Sequence, residues 1–263
     1  MAATKSQELH VKFFDVVWAN DQAEPRARLQ IQADSLPFSV VPVVFITNEV
    51  MSRIREEDIP QLASDIVTEV LNIWDFKVAK NALLGALPQQ TLQQPYEWQI
   101  DCDWTANTRE RYFTFLRALR RELSAGSILS ATVRLHQFRD QSTQGIPPID
   151  KGLLMAYNVG ELDQWTTENS QLDTNITANY LKPNVTYPLP LDVALPYFEW
   201  GVVFREGKLA LLINGIQPSD LIDSTHFSQT SLSRFQVKKS TYFQGNYLYK
   251  DDLIRIEWPN ETS

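Results

Sequence analysis

Hydrophobic and polar positions alternate most sharply over residues 96–105, Tyr-Glu-Trp-Gln-Ile-Asp-Cys-Asp-Trp-Thr. In extended backbone successive side chains point to opposite faces, so Gln99, Asp101, Asp103 and Thr105 share one face. Trp98, Ile100, Cys102 and Trp104 share the other. Immediately afterwards Tyr112, Leu116, Leu119 and Leu123 recur at helical spacing and predict a helix over 108–123. A strand running straight into an amphipathic helix predicts a βα unit of a parallel sheet. Both faces of such a sheet are covered, so carboxylates on its inward face cost several kcal/mol unless they are paired, hydrated or put to use. The end of a βα-barrel strand is where catalytic groups usually sit.

The same patterning organises the rest of the chain. Residues 10–18 predict a first strand with Asp15 near its end, and 20–36 a polar connection with a short strand at 27–31. The apolar run 39–47 predicts a second, fully buried strand, followed by Asn48 and Glu49. Ile59, Leu62, Ile66, Val70 and Ile73 predict a helix, with Asp58 at its cap and Pro60 tolerated in the first turn. Residues 77–94 read as loop or short helix. A strand over 129–137 would place Arg134 and His136 on one face, and 140–150 is a turn-rich loop. Residues 152–160 predict a short strand with Tyr157 and Asn158 at its mouth; 161–174 is polar loop, and 175–181 a short helix. Residues 188–200 predict a strand with Asp192 at its start and Glu199 and Trp200 at its end. A hairpin follows over 202–213 around Glu206-Gly207, and 235–258 reads as one or two strands around Gly245-Asn246. Five or six strands ending in polar residues, alternating with helices, predict one α/β domain over 1–263. The fold class is a TIM-type βα-barrel that falls short of eight clean units.

Composition changes this picture in three places. A net charge of −8, from 32 acidic against 24 basic residues, disfavours nucleic acid or an anionic membrane as partner. The single cysteine, Cys102, excludes an intrachain disulfide and a cysteine-based metal cluster, and its place on the packing face argues against a nucleophile. No apolar run of eighteen residues exists, so no transmembrane segment is expected; the chain reads as soluble, or as extracytoplasmic if a leader has been removed. His, Asp and Glu show no metal-ligand spacing, and neither a glycine-rich phosphate loop nor a Gly-x-Ser-x-Gly elbow is present. No metal and no cofactor are therefore expected.

Several stretches, taken together, resemble a known group of sequences. They are Phe-Phe-Asp-Val at 13–16, Pro-Val-Val-Phe-Ile-Thr-Asn-Glu at 42–49 and Gln-Ile-Asp-Cys-Asp-Trp-Thr at 99–105. Arg-Leu-His-Gln at 134–137, Leu-Met-Ala-Tyr-Asn at 154–158 and Tyr-Pro-Leu-Pro-Leu-Asp-Val-Ala-Leu-Pro at 187–196 complete the set. They resemble an uncharacterised bacterial family, largely from Bacteroidetes and often exported or lipid-anchored, of glycoside-hydrolase-like barrels. A more distant resemblance is to chitinase-type barrels. Residues 101–105 are similar to the Asp-x-Asp-x-Glu signature of their fourth strand, and Met155-Ala156-Tyr157-Asn158 to the Met-x-Tyr-Asp of their sixth. In that family the terminal Glu is the general acid, the Asp before it orients the substrate acetamido group, and the Tyr helps to hold it. Here Thr105 stands at the Glu position, and its hydroxyl does not protonate a leaving oxygen near pH 7.

The resemblance implies a glycan or oligosaccharide as ligand and a pocket at the C-terminal strand ends. Asp103 and Glu199 are the candidate acid/base pair, because two carboxylates about 5 to 9 Å apart meet the general requirement for glycoside hydrolysis. Asp101, one layer deeper, is the candidate orienting support. His136, Tyr157, Asn158, Trp200, Asp15 and Glu49 are the candidate substrate contacts. Each has a plainer reading: Asp101 and Asp103 as an ion pair with Arg134, His136 as an interior hydrogen-bonding group, Tyr157 as a cap, Glu199 as a rim residue. Trp104 reads as packing by parity, and Asp192 as structural. An enzyme with Asp103 or Glu199 as acid/base, and a barrel that binds glycan or protein without turnover, both remain open at this level.

Overall fold

The structure is a computed structural model and describes residues 8–30, 39–74, 94–182 and 185–258. Residues 77–93 of the segment expected as loop or short helix lie outside the described residues. The chain forms two compact units, one of 1–154 with 186–192 and one of 155–185 with 193–263.

The first unit opens with β1 (Glu8–Ala19), which turns back into β2 (Gln22–Arg26) as an antiparallel hairpin. Asn20 and Asp21 both hold φ near +55°, the left-handed pair that a two-residue hairpin turn requires. The extra strand expected over 27–31 is therefore this earlier one, made by a turn that short polar side chains tolerate. β3 (Ser39–Ile46), α1 (Asn48–Arg53), α2 (Ile59–Ile73), β4 (Glu97–Asp101), α3 (Arg109–Glu122) and β5 (Ile128–Arg134) follow, then α4 (Leu135–Arg139), α5 (Gln141–Gln144) and β6 (Lys151–Met155). With β7 (Leu191–Ala194) these strands make a seven-stranded sheet ordered β2-β1-β3-β4-β5-β6-β7. β1, β3, β4 and β5 pair in parallel, as the alternation of strand and helix predicts. Among the described residues β2 and β7 are the two ends of that order.

One face of the sheet is apolar. Trp98, Ile100, Cys102, Leu129, Ala131 and Val133 are fully buried on it. Trp104, just beyond β4, stacks on Tyr112 of α3 at 5.2 Å and meets Phe113 edge-on at 6.1 Å. α2 buries Ile59, Leu62, Ala63, Ile66 and Val70, packing against α3. Gly152 of β6 is required by close approach: a Cβ there would meet Leu191 at 2.6 Å and Val133 at 3.1 Å.

Three expectations need correction. The strand over 129–137 stops at Arg134, because the Gln137 carboxamide accepts the Arg134 backbone N–H at 2.7 Å and starts α4. His136 therefore lies on a helix rather than beside Arg134 on a strand face. The strand over 188–200 shrinks to β7, where Pro190 and Pro196 each lack the N–H that a ladder needs. Trp200 instead opens β8.

The second unit also departs from βα alternation. It holds α6 (Thr174–Tyr180), close to the helix expected over 175–181, and then β8 (Trp200–Arg205), β9 (Lys208–Asn214), β10 (Phe227–Ser231), β11 (Arg234–Val237), β12 (Thr241–Phe243), β13 (Asn246–Leu248) and β14 (Leu253–Glu257). Five of these form an antiparallel sheet ordered β10-β11-β14-β8-β9, and β12 and β13 make a separate hairpin. The β8–β9 hairpin turns at Glu206 and Gly207, both with positive φ, as the sequence predicts. Four strands occupy 234–257 where one or two were expected, because the turn at Gln244-Gly245 also runs through positive φ and folds a second hairpin. Val203, Ile213, Ile216, Phe235, Val237, Leu248, Ile254 and Ile256 form this unit's core.

Leu116 is fully buried on α3. Leu116→Ala is expected to cost about 2–5 kcal/mol, read as a lower urea midpoint with unchanged slope.

Candidate functional site

The opposite face of the first sheet is polar, and strand register decides which side chains meet there. Lys12, Val43, Gln99 and Ser130 stand at one level; Asp15, Phe45 and Asp101 stand at the next, with Thr132 beside them. A bulge between Lys12 and Phe14 lets both Phe13 and Phe14 bury while Lys12 and Asp15 return to one face. Their ammonium and carboxylate pair at 2.9 Å.

Deep in this face the polar groups form a connected chain. Ser130 donates to Glu97 at 2.6 Å, and the His10 ring meets the Gln99 carboxamide at 3.1 Å. Lys151 pairs with Glu97 at 2.8 Å and Asp192 at 3.0 Å. Burial works against the Lys151 ammonium, yet its bonds to Glu97 and Asp192 hold it above the ordinary lysine range. The structural reading of Asp192 is therefore the one the geometry gives.

Toward the C-terminal ends of β4 and β5 lie the two expected aspartates. Asp101 ends β4 and accepts the Thr132 hydroxyl at 2.7 Å. Burial raises its carboxyl above the usual range, with the Thr132 bond and the Arg134 charge opposing. Asp103, two residues on, takes a two-pronged contact from Arg134: Nε to Oδ1 at 2.5 Å and the terminal nitrogen to Oδ2 at 2.9 Å. The side chains stay 46% and 25% exposed, so this pair faces solvent rather than being sealed in a core. His136, on α4, is held below its ordinary range by burial, with Asp103 opposing. Burial pushes the Cys102 thiol up, which fits its packing role.

Thr105 sits in the turn that leads into α3. Its backbone N–H donates to the Thr108 hydroxyl at 2.9 Å, and Thr108 in turn donates to Asn48 at 2.6 Å. Thr105 is thus part of a turn network. Glu49 lies in the first turn of α1 and pairs with Arg53 at 2.9 Å on the surface.

The other expected residues belong to the second unit. Asn158 holds φ +55°, and its N–H donates to the Gln171 carbonyl at 2.7 Å; Tyr157 beside it is partly buried. Glu199 precedes β8, and its carbonyl accepts the Gly215 N–H at 2.8 Å. The Trp200 indole donates to Glu257 at 2.9 Å. Glu257 also accepts Ser170 N–H at 3.0 Å and Oγ–H at 2.6 Å, and pairs with Arg255 at 2.7 Å. Glu257 and Arg255 are both fully buried.

Thr132, Lys151 and the Arg255–Glu257 pair were not singled out from sequence. The signal was present: Ser130-Ala-Thr132-Val-Arg134 and Arg255-Ile-Glu257 place polar groups at every second position of otherwise apolar strands. Among the described residues no group of three or more His, Cys, Asp or Glu is placed to hold a metal ion.

No family model matches the chain, and no curated protein matches it. Solved structures do. One is ydhD from Bacillus subtilis, a candidate sporulation-specific glycosylase, at 14% identity and TM-score 0.53, over 99% of this chain and 87% of that one. Another is the spore cortex-lytic enzyme SleL of Bacillus cereus, at 12% identity and TM-score 0.51. That match covers 97% of this chain but only 58% of the SleL chain. At such identities the likeness is one of fold.

Two outcomes test these environments. A carboxyl raised by burial stabilises the fold below the unfolded-state pKa of about 3.9 and loses that contribution as pH rises through its folded value. The urea midpoint of the wild type relative to Asp101→Asn is therefore expected to fall between pH 3.5 and 7; a constant difference would refute the assignment. Glu257→Ala strands a buried guanidinium and is expected to cost about 3–5 kcal/mol, measured by urea unfolding.

Proposed function

We propose that this chain is a glycoside-hydrolase-like, carbohydrate-active protein whose parallel sheet is the arc of a βα-barrel. The glycan is held at the C-terminal ends of β4 and β5. The observation that carries this reading is the half-exposed Asp103–Arg134 pair. A carboxylate accepts from sugar hydroxyls while a planar guanidinium donates to them, and each partner fixes the other's orientation before a ligand arrives. Support also comes from the fold shared with a candidate glycosylase and a cortex-lytic enzyme. The acidic net charge favours a neutral or cationic glycan over an anionic one.

Binding without turnover is the leading form of this reading. Thr105 stands where chitinase-type barrels carry their acid, and both Asp103 oxygens already accept from Arg134. A second form, hydrolysis, is favoured by one observation: burial raises the Asp101 carboxyl, so it keeps its proton to higher pH than an ordinary aspartate. In that form Asp101, whose protonated state burial favours, carries the proton and Asp103 supports it, the reverse of the roles expected from sequence; Glu199 is a candidate of the second unit alone. His136 and Asp15 are the flanking contacts proposed in the first unit; Tyr157, Asn158 and Trp200, expected as contacts from sequence, belong to the second unit and are not part of this site. Among the described residues no helix is long and apolar enough to cross a membrane. Action outside the cytoplasm is part of this proposal.

Incubation with a panel of β-linked oligosaccharides, amino-sugar polymers included, tests the reading. Wild type is expected to bind a panel member and to release no reducing ends above blank. Asp103→Asn removes a charge-assisted contact of about 1.5–3 kcal/mol and should weaken binding roughly ten- to a hundredfold. Release by wild type that disappears in Asp101→Asn would establish the hydrolytic form. Absence of any binding by wild type would overturn both.

A further inference from the structure

The second unit carries a cleft of about 500 Å³ that none of the residues argued above explains. Trp258, Arg234, Glu168, Asp173, Asn175 and Ser233 are among the side chains that line it. Its walls are fixed in advance. Arg234 lies 5.0 Å from the centre of the Trp165 ring, and its terminal nitrogen donates to the Thr167 carbonyl at 3.3 Å. Asp173 caps α6 by accepting the Ile176 N–H at 2.9 Å. The Asn169 carboxamide donates to the Trp258 carbonyl at 3.1 Å, tying the polar loop to the end of β14. Beneath that end lies the buried Arg255–Glu257 pair, which also holds Ser170 and Trp200. Trp258 packs against the unit's core and remains partly exposed in the cleft.

We infer that this cleft is a second carbohydrate site, separate from the Asp103–Arg134 face, that takes one or two neutral, hydroxyl-rich sugar rings. Its size suits a disaccharide. An indole presents an apolar surface to the C–H side of a sugar ring. Carboxylate, guanidinium, carboxamide and hydroxyl groups around it offer the mixed acceptors and donors that vicinal hydroxyls need. Glu168 and Asp173 outweigh Arg234, so an anionic sugar is disfavoured against a neutral one. Pre-arranged walls reduce the ordering cost of binding. The sugar class follows from the cleft's own groups, so the inference stands or falls apart from the reading of the first unit.

The test uses the full chain labelled with 5-fluorotryptophan, whose seven fluorine signals are few enough to assign. Trp258→Phe identifies the signal of residue 258. Cellobiose and chitobiose are titrated in. The expected result is a saturable shift of the Trp258 signal with at least one of them, about tenfold weaker in the exposed-site variant Glu168→Gln and unchanged in Asp103→Asn. A Trp258 signal that stays still with both sugars overturns the inference, as does a shift that Asp103→Asn abolishes. A shift at Trp258 accompanied by no binding that depends on Asp103 upholds this site and removes the one proposed on the first unit.

Discussion

Carboxylates on a sheet whose other face is packed against helices must find partners within reach of their own strands. At Asp101 and Asp103 those partners come from one neighbouring strand. Parallel pairing of β4 with β5 sets Gln99 level with Ser130, which carries Thr132 to Asp101 and Arg134 to Asp103. A slip of one residue would turn Thr132 and Arg134 toward Trp98 and Ile100 and strand both acids. The two strand ends are tied by Gln137, just past β5, which donates to the Trp104 carbonyl at 2.8 Å, while Trp104 packs on Tyr112 and Phe113 of α3. Packing on one face thus positions chemistry on the other.

The two acids end in different environments although only Cys102 separates them. Asp101 is partly buried and accepts from the neutral Thr132 hydroxyl, so burial dominates and raises its carboxyl above the usual range. Asp103 lies past the last ladder residue, half in water, with a guanidinium on both oxygens. That contrast suits Asp103 to the recognition, and Asp101 to the proton chemistry, of the reading proposed above. Thr105, one further step along, has been absorbed into the turn that starts α3.

Much of the first unit was legible because its strands and helices keep strict periods. The apolar run of β3 and the spacings of α2 and α3 each predict the element found, and the 96–105 alternation predicts β4, although the strand itself ends at Asp101 and leaves Asp103 beyond it. Failures came where one local hydrogen bond or one missing donor outranked the pattern. Gln137 stopped β5 at Arg134 and moved His136 onto a helix; Pro190 and Pro196 cut β7 to four residues. Glu49 followed a buried strand as expected, but α1 turned it to the surface beside Arg53. In 200–257 the sequence carries turn pairs and alternation without helical spacing, and antiparallel strands result, among them the hairpin expected over 202–213. The Arg255–Glu257 pair was overlooked because charges inside a strand read as surface until the loop 161–173 is seen to cover them.

The central claim is that the ends of β4 and β5 are where a glycan is held. Amide chemical-shift mapping of the full chain with a bound β-linked oligosaccharide tests it most directly. Perturbations concentrated at Cys102 to Thr105 and Arg134 to His136, and lost in an Arg134→Met protein that keeps its fold, are the predicted result. Saturable binding that leaves those amides unmoved would contradict it.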